Sequence, residues 1–337
     1  MPVFYPKQII NCLILLLVVN LSSSCTNEDT GAYEAILQKP AFAALSDSIK
    51  KDKTNDSLYF RRAVLLNQQN FPEVALEDFN QAWQLKPTEI YAYAIGNLLL
   101  LKDPKTAIAF IEKAKKKIVP SERLYLTIAQ AFFSTKNSQM ALAYADSSIQ
   151  KNNAFLPAHL LKVEILEAQD DVTSLTDALQ NASKIAPQNK ELRYLLAYQL
   201  AESKNAKAVA IAHDLIAKDT LGVDMEPYYI LGIYYVNIGN QSKALSYFNQ
   251  IIARDYNYLN AYIEKGKIQL SQGQTTAALK TFTLANTISP SFPDAFYWIG
   301  KSQELLGKKD EARANYEKAY ALDKTFTAAK EALNERK

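Results

Sequence analysis

The chain has 337 residues, 48% of them hydrophobic and 22% charged, with 38 Lys and Arg against 35 Asp and Glu, a formal net charge of +3. That near-balance excludes the basic stripe expected of a nucleic-acid-binding protein. The densest basic run, Lys113, Lys115, Lys116 and Lys117, reads as the solvated end of a helix, where cations suit the helix dipole. Two cysteines and nine glycines argue against a disulfide framework or a glycine-rich phosphate loop.

Ile9 to Leu21 are mostly apolar. The run is shorter than the roughly 20 residues needed to span a bilayer and matches the apolar core of a secretory signal. Lys7 and the free amine supply the positive charge before it, and Ser22, Ser23 and Ser24 precede Cys25. The stretch Leu21-Ser22-Ser23-Ser24-Cys25 resembles a bacterial lipoprotein signal, with Ser22 standing where a large aliphatic residue is usual. The resemblance implies a signal peptide over residues 1–24, a diacylglyceryl group on Cys25, and a place in the cell envelope on either face of the outer membrane. Ordinary cleavage after Ser24 would give export without the anchor. Residues 25–31 read as a polar tether, and its Glu28-Asp29 pair resembles the short export signal of surface lipoproteins in Bacteroidetes-like bacteria. With residues 1–24 removed, Cys25 is the one cysteine left, so no internal disulfide can form.

Residues 32–55 read as a helical cap or half repeat, Pro40 opening a second helix that carries Phe42, Leu45 and Ile49. Beyond them the glycines set a period. Gly232, Gly239, Gly266, Gly273, Gly300 and Gly307 fall in pairs 7 apart, and the pairs recur every 34 residues. On that frame Ala244, Ala278 and Ala312 align, followed by Phe248, Phe282 and Tyr316, then Ile251, Ala285 and Ala319; Ala63, Ala75, Phe79, Ala82 and Pro87 extend the pattern upstream. This resembles the tetratricopeptide repeat, and Leu231-Gly232-Ile233-Tyr234-Tyr235 carries the family's Leu-Gly-x-x-Tyr core.

The resemblance implies an all-α chain, a right-handed superhelical solenoid of about eight helical hairpins with helical caps. Small residues at positions 8, 20 and 27 let helices approach, and large ones at 4, 11 and 24 fill the space between hairpins. A glycine at 15 ends the first helix where positive φ is often needed, and a proline near 32 ends the second. Repeats are expected to start at Asp56, Thr88, Glu122, Leu156, Lys190, Met225, Leu259 and Pro293, so that the array covers residues 56–325. The fifth is the most divergent: Ala208 and Ala212 are one place out of register with Ala197, and His213 falls on the usual aromatic site. Residues 326–337 read as a C-terminal capping helix with Ala328, Ala329, Ala332 and Leu333 on its inner face.

No catalytic constellation stands out. His159 and His213 have no metal-ligating partner at a useful spacing, and Asp170-Asp171 fall in a turn. The expectation is a non-enzyme without cofactor or metal. In the family, positions 2, 5, 9, 12 and 13 of the first helices line a concave groove. Here they include Phe60, Leu126, Gln130, Phe133, Tyr194, Tyr198, Tyr229, Ile233, Asn237, Lys267, Tyr297, Lys301 and Glu304. Tyr194, Tyr198 and Tyr229 are expected to form one aromatic patch, since rigid aromatics suit protein binding. Position 5 reads Phe60, Ala92, Leu126, Leu160, Tyr194, Tyr229, Ile263 and Tyr297, which lacks the lysine of the family's chaperone-tail clamp. The expected function is an outer-membrane scaffold or assembly factor that binds proteins or peptides of the envelope, with no nucleic acid and no small-molecule cofactor. A glycan- or ligand-capturing nutrient lipoprotein is the alternative, and an enzyme the second alternative.

Overall fold

The computed structural model describes residues 28–334. Residues 1–27, with the expected signal peptide and Cys25, and residues 335–337 lie outside the described residues. Among the described residues there are nineteen α-helices and no strand. The chain forms two compact units that divide between Ala186 and Pro187.

Unit 1 opens with α1 (Glu28–Leu37) and α2 (Pro40–Lys51). α1 begins inside the stretch expected to be a polar tether, so residues 28–31 are helical; acidic residues are the type that a helix N-terminus accepts best. Four hairpins follow: α3 (Asp56–Gln68) with α4 (Pro72–Leu85), α5 (Glu89–Lys102) with α6 (Pro104–Ala114), α7 (Glu122–Ser134) with α8 (Ser138–Lys151), and α9 (Leu156–Glu167) with α10 (Val172–Ile185). Unit 2 has α11 (Lys190–Glu202) with α12 (Lys207–Lys218), α13 (Glu226–Asn237) with α14 (Gln241–Arg254), α15 (Leu259–Ser271) with α16 (Thr275–Ile288), α17 (Pro293–Leu305) with α18 (Lys309–Leu322), and a closing helix α19 (Thr327–Asn334). Within each unit a second helix packs on its own partner and on the first helix of the next hairpin.

The close approach within a hairpin comes from a small residue lying under a ring. A Cβ on Gly232 would stand 2.4 Å from Phe248, one on Gly266 2.3 Å from Phe282, and one on Gly300 2.8 Å from Tyr316. All three rings are buried. In the first hairpin Ala63 and Phe79 hold the same places, in one core with Phe42 and Leu66.

The turn between the two helices is built equally regularly. Position 15 is left-handed in seven hairpins: Asn70, Lys136, Asp170 and Lys204, then Gly239, Gly273 and Gly307. The second hairpin is the exception. α5 starts one residue after the aligned Thr88, and Asp103 alone separates it from α6, with φ −153° and a carboxylate that accepts from the Lys105 and Thr106 amides. Gly96 then takes the small position, where a Cβ would lie 3.1 Å from Ile111. The fifth hairpin has the same contraction further on: α12 buries Ala208, Ala212 and Leu215. His213 is therefore exposed, not seated on the aromatic site, which Ala212 occupies.

The first hairpin is tied to its cap by a buried network. Arg62 grips Asp78 at 2.6 and 2.8 Å and donates at 3.0 Å to the Ser46 hydroxyl of α2. At the other end α19 buries Ala329 and Ala332, while the Phe326 ring just before it lies 5.2 Å from Tyr297.

A side chain at positive φ carries a steric cost that glycine avoids. Lys204→Gly, at φ 60°, is expected to raise unfolding free energy by about 0.5–1 kcal/mol, and Gly239→Ala, at φ 80°, to lower it by about 1–2 kcal/mol. Urea titration checks both; no gain from the first would show that the turn carries no such strain.

Candidate partner-binding walls

All thirteen residues expected in the groove lie on first helices. In unit 1 they form an apolar strip. Phe60 is half-buried, its ring 4.8 Å from Tyr91 and 5.5 Å from Phe79. Leu126 and Phe133 are half-buried on the core of Ala129, Ala141 and Ala145, with Gln130 between them, also half-buried. Three further apolar residues extend the strip: Leu100, half-buried, Leu101, 74% exposed, and Leu160, 39% exposed. Leu101 escapes a frame that starts the second repeat at Thr88, in which Leu100 falls at position 13. Gly96, once recognised as the small residue, would have moved the frame to Glu89 and put both at groove positions, 12 and 13.

Unit 2 departs from expectation at four of its residues. Tyr198, Tyr229, Ile233 and Tyr297 are buried, none more than 9% exposed. The reason is reach: a large side chain at position 5 or 9 extends into the seam with the following hairpin. Tyr229 packs on Phe248 and on Tyr258 at 5.9 and 5.5 Å, and Tyr297 on Tyr316 at 5.6 Å. Shortening these rings to alanine thus removes core packing as well as any contact with a partner. Nor is there an open three-ring patch, because the half-buried Tyr194 directs its hydroxyl to the Asp224 carboxylate.

The remaining residues are half-buried and locally engaged. Asn237 donates to the Ala201 carbonyl at 3.2 Å, linking α13 to the end of α11. Lys267 pairs with Glu264 at 2.7 Å, and Lys301 with Glu304 at 3.7 Å. Glu304 also accepts from the Tyr316 hydroxyl at 2.8 Å.

Acids gather along this face. Tyr258 donates to Glu226 at 2.7 Å, and Glu264 is 7% exposed. Burial, then the charges of Glu264 and Glu226, push the Tyr229 hydroxyl well up. Burial chiefly, with Asp323 and Glu264 adding and Lys267 opposing, raises the Asp294 carboxyl above its ordinary value. Among the described residues no group of His, Cys, Asp and Glu converges as a metal site, and no helix is long and apolar enough to cross a membrane. His159 is buried with Nε2 3.0 Å from the Asn153 carbonyl, a packing role.

Family models described as tetratricopeptide repeat match residues 229–291 and 293–326. Residues 229–326 are thus tetratricopeptide repeats. The fold of the chain is similar to the crystal structure of a tetratricopeptide repeat protein from Parabacteroides merdae, with a TM-score of 0.55 at 13% identity, over 83% of this chain and 97% of that one. Human Superkiller complex protein 3 is 28% identical over 128 residues, 38% of this chain but 8% of that protein. Human Protein O-mannosyl-transferase TMTC1 is 28% identical over 147 residues, 42% of this chain and 17% of that one. The chain thus spans a small part of these relatives' length.

Asp294 gives a pH signature for the repeat array. Its folded pKa is raised, so its contribution favours the fold while it is protonated and is lost as pH rises through that pKa. Asp294→Asn is expected to melt above the wild type at pH 7, with the gap closing as pH falls below about 4. Melting curves across pH 3.5–8 check this; a wild type more stable at pH 7 would contradict it.

Proposed function

We propose that this tetratricopeptide-repeat protein is a non-catalytic scaffold or assembly factor that binds extended segments of other proteins along its first-helix walls. In this reading it is held at the outer membrane by lipid on Cys25. The observation that carries the binding role is the strip on unit 1: Phe60, Leu100, Leu101, Leu126, Phe133 and Leu160 leave apolar surface on successive first helices. Contiguous exposed apolar surface marks interaction sites, and large apolar anchors supply most of the energy in such contacts. The anchor rests on the sequence alone, in the apolar run that ends at Ser-Ser-Ser-Cys.

One strain series tests both parts. A photo-crosslinking amino acid at Leu101, Leu126 or Leu160 is expected to capture a defined partner in intact cells. The same group at Gln84 or Lys280, exposed on second helices, is expected to capture none of it. Cross-links from the second helices alone would overturn the wall as the binding surface. Cys25→Ser is expected to move the protein out of the outer-membrane fraction after a high-salt wash; unchanged fractionation would overturn the anchor.

A further inference from the structure

The lysines of unit 1 are sorted by edge. Helices joined by short turns and packed on each other alternate in direction, so the second helices of unit 1, α2 included, all end on one edge, and α1 begins there. Lysine stands in the last turns of α2, α6, α8 and α10. Helix dipoles favour this, but they act equally at the first-helix ends on the opposite edge, and α1, α3, α7 and α9 have no basic residue there. Counting the last helical turns, the loops and the first helical turns that form each edge, eleven Lys and Arg meet seven Asp and Glu on the first edge and four meet seven on the second. The acids are even, and the cations are not. α6 ends at Ala114, so Lys115, Lys116 and Lys117 lie beyond the helix, in the loop that leads to α7 at Glu122. Lys115 pairs with Glu112. Lys116 and Lys117 are exposed and form no ion pair among the described residues, and the same holds for Lys51, Lys53 and Lys86 on the neighbouring loops. In the same loop Val119 is 76% exposed, an apolar side chain that covers no core.

We propose that this edge of unit 1 lies on an anionic phospholipid surface, with its lysines among the phosphates and Val119 in the headgroup layer. Lysines beside an exposed apolar residue combine the two attractions that hold a protein at a lipid interface, charge and apolar burial. The expected anchor leaves from the same edge. Cys25 precedes the start of α1 by three residues, a length of chain that spans at most about 10 Å. The proposal rests on the reading of Cys25 as lipidated and adds an orientation to it. The helices of unit 1 then run away from the lipid, and the apolar strip on the first helices stays open to a partner. An acidic protein segment would meet the same lysines, but it would leave Val119 in water.

The test uses the chain from residue 25 onward with Cys25→Ser, which carries no lipid and no other cysteine. Its co-sedimentation is measured with vesicles of phosphatidylcholine alone or mixed with phosphatidylglycerol. Binding is expected to be about tenfold or more tighter with phosphatidylglycerol and to be lost in high salt. Lys53→Gln, Lys116→Gln and Lys117→Gln combined are expected to weaken it by about tenfold or more. Lys102→Gln, Lys105→Gln and Lys136→Gln combined make the same charge change on the opposite edge, where all three lysines are exposed, and are expected to leave binding unchanged. A polarity-sensitive dye on Val119→Cys is expected to shift to the blue on the phosphatidylglycerol vesicles and to stay unshifted with polyglutamate. Circular dichroism and melting curves establish that each variant is folded. Equal binding to the two vesicles, equal losses in the two triple variants, or no blue shift on bound vesicles would overturn the proposal. Polyglutamate that displaces the vesicles at equal charge would assign the edge to an acidic protein segment and overturn it too. If Cys25→Ser still leaves the outer-membrane fraction of cells in those cases, the anchor stands and the lipid-facing edge alone fails; if it stays in that fraction, both fail.

Discussion

In the first hairpin and the last three, the array depends on one repeated contact, a ring of the second helix lying on a first-helix residue that has little or no side chain. With a Cβ on Gly266 the nearest ring carbon would be 2.3 Å away, well inside the roughly 3.5–4.0 Å at which carbon atoms attract. The glycine lets the two axes close until Phe282 covers the gap, and the ring excludes the water that a glycine in mid-helix would otherwise admit. Glycine costs about 1 kcal/mol in a helix interior, and the buried ring more than offsets this. Each of these hairpins thereby gains a fixed separation, and the helix packed on it meets a defined surface.

Regular hairpins leave the outer positions of the first helices free to differ, and they do. On unit 1 those positions are apolar and partly exposed. On unit 2 they hold tyrosines that sink into the seams, with carboxylates and two paired lysines around them. The same geometry thus presents an oily strip in one unit and an acidic, phenolic face in the other. Charges that pair within a wall, such as Lys301 with Glu304, add little stability when half-exposed, but they decide which partner charges the wall can meet.

Much of this was legible in the residue pattern. The glycine pairs 34 apart announce the hairpins of unit 2, and six first helices begin at the aligned first residue. The contractions in the second and fifth hairpins were harder to see, because losing one residue from a turn shifts a helix without changing its composition. In the fifth, the shift appears as Ala208 and Ala212 out of step; in the second, as Gly96 one place late. The candidate walls were less legible than the fold. Position numbers say which way a side chain leaves the helix but not how far it reaches, so Tyr198 and Tyr229 counted as open surface where neighbouring rings bury them. Contacts such as Tyr258 with Glu226 join residues 32 apart in the chain, and no local pattern reveals them.

The central claim is the coupling between the small residue and the ring, and a double-mutant cycle on Gly266→Ala and Phe282→Leu measures it directly. Overpacking of this kind costs roughly 1–3 kcal/mol. The clash exists only while the ring is present, so Gly266→Ala should cost less in the Phe282→Leu background, with a coupling energy of about 1 kcal/mol or more. Losses that add to within about 0.5 kcal/mol would mean that the two positions act independently and that something else sets the spacing of the helices.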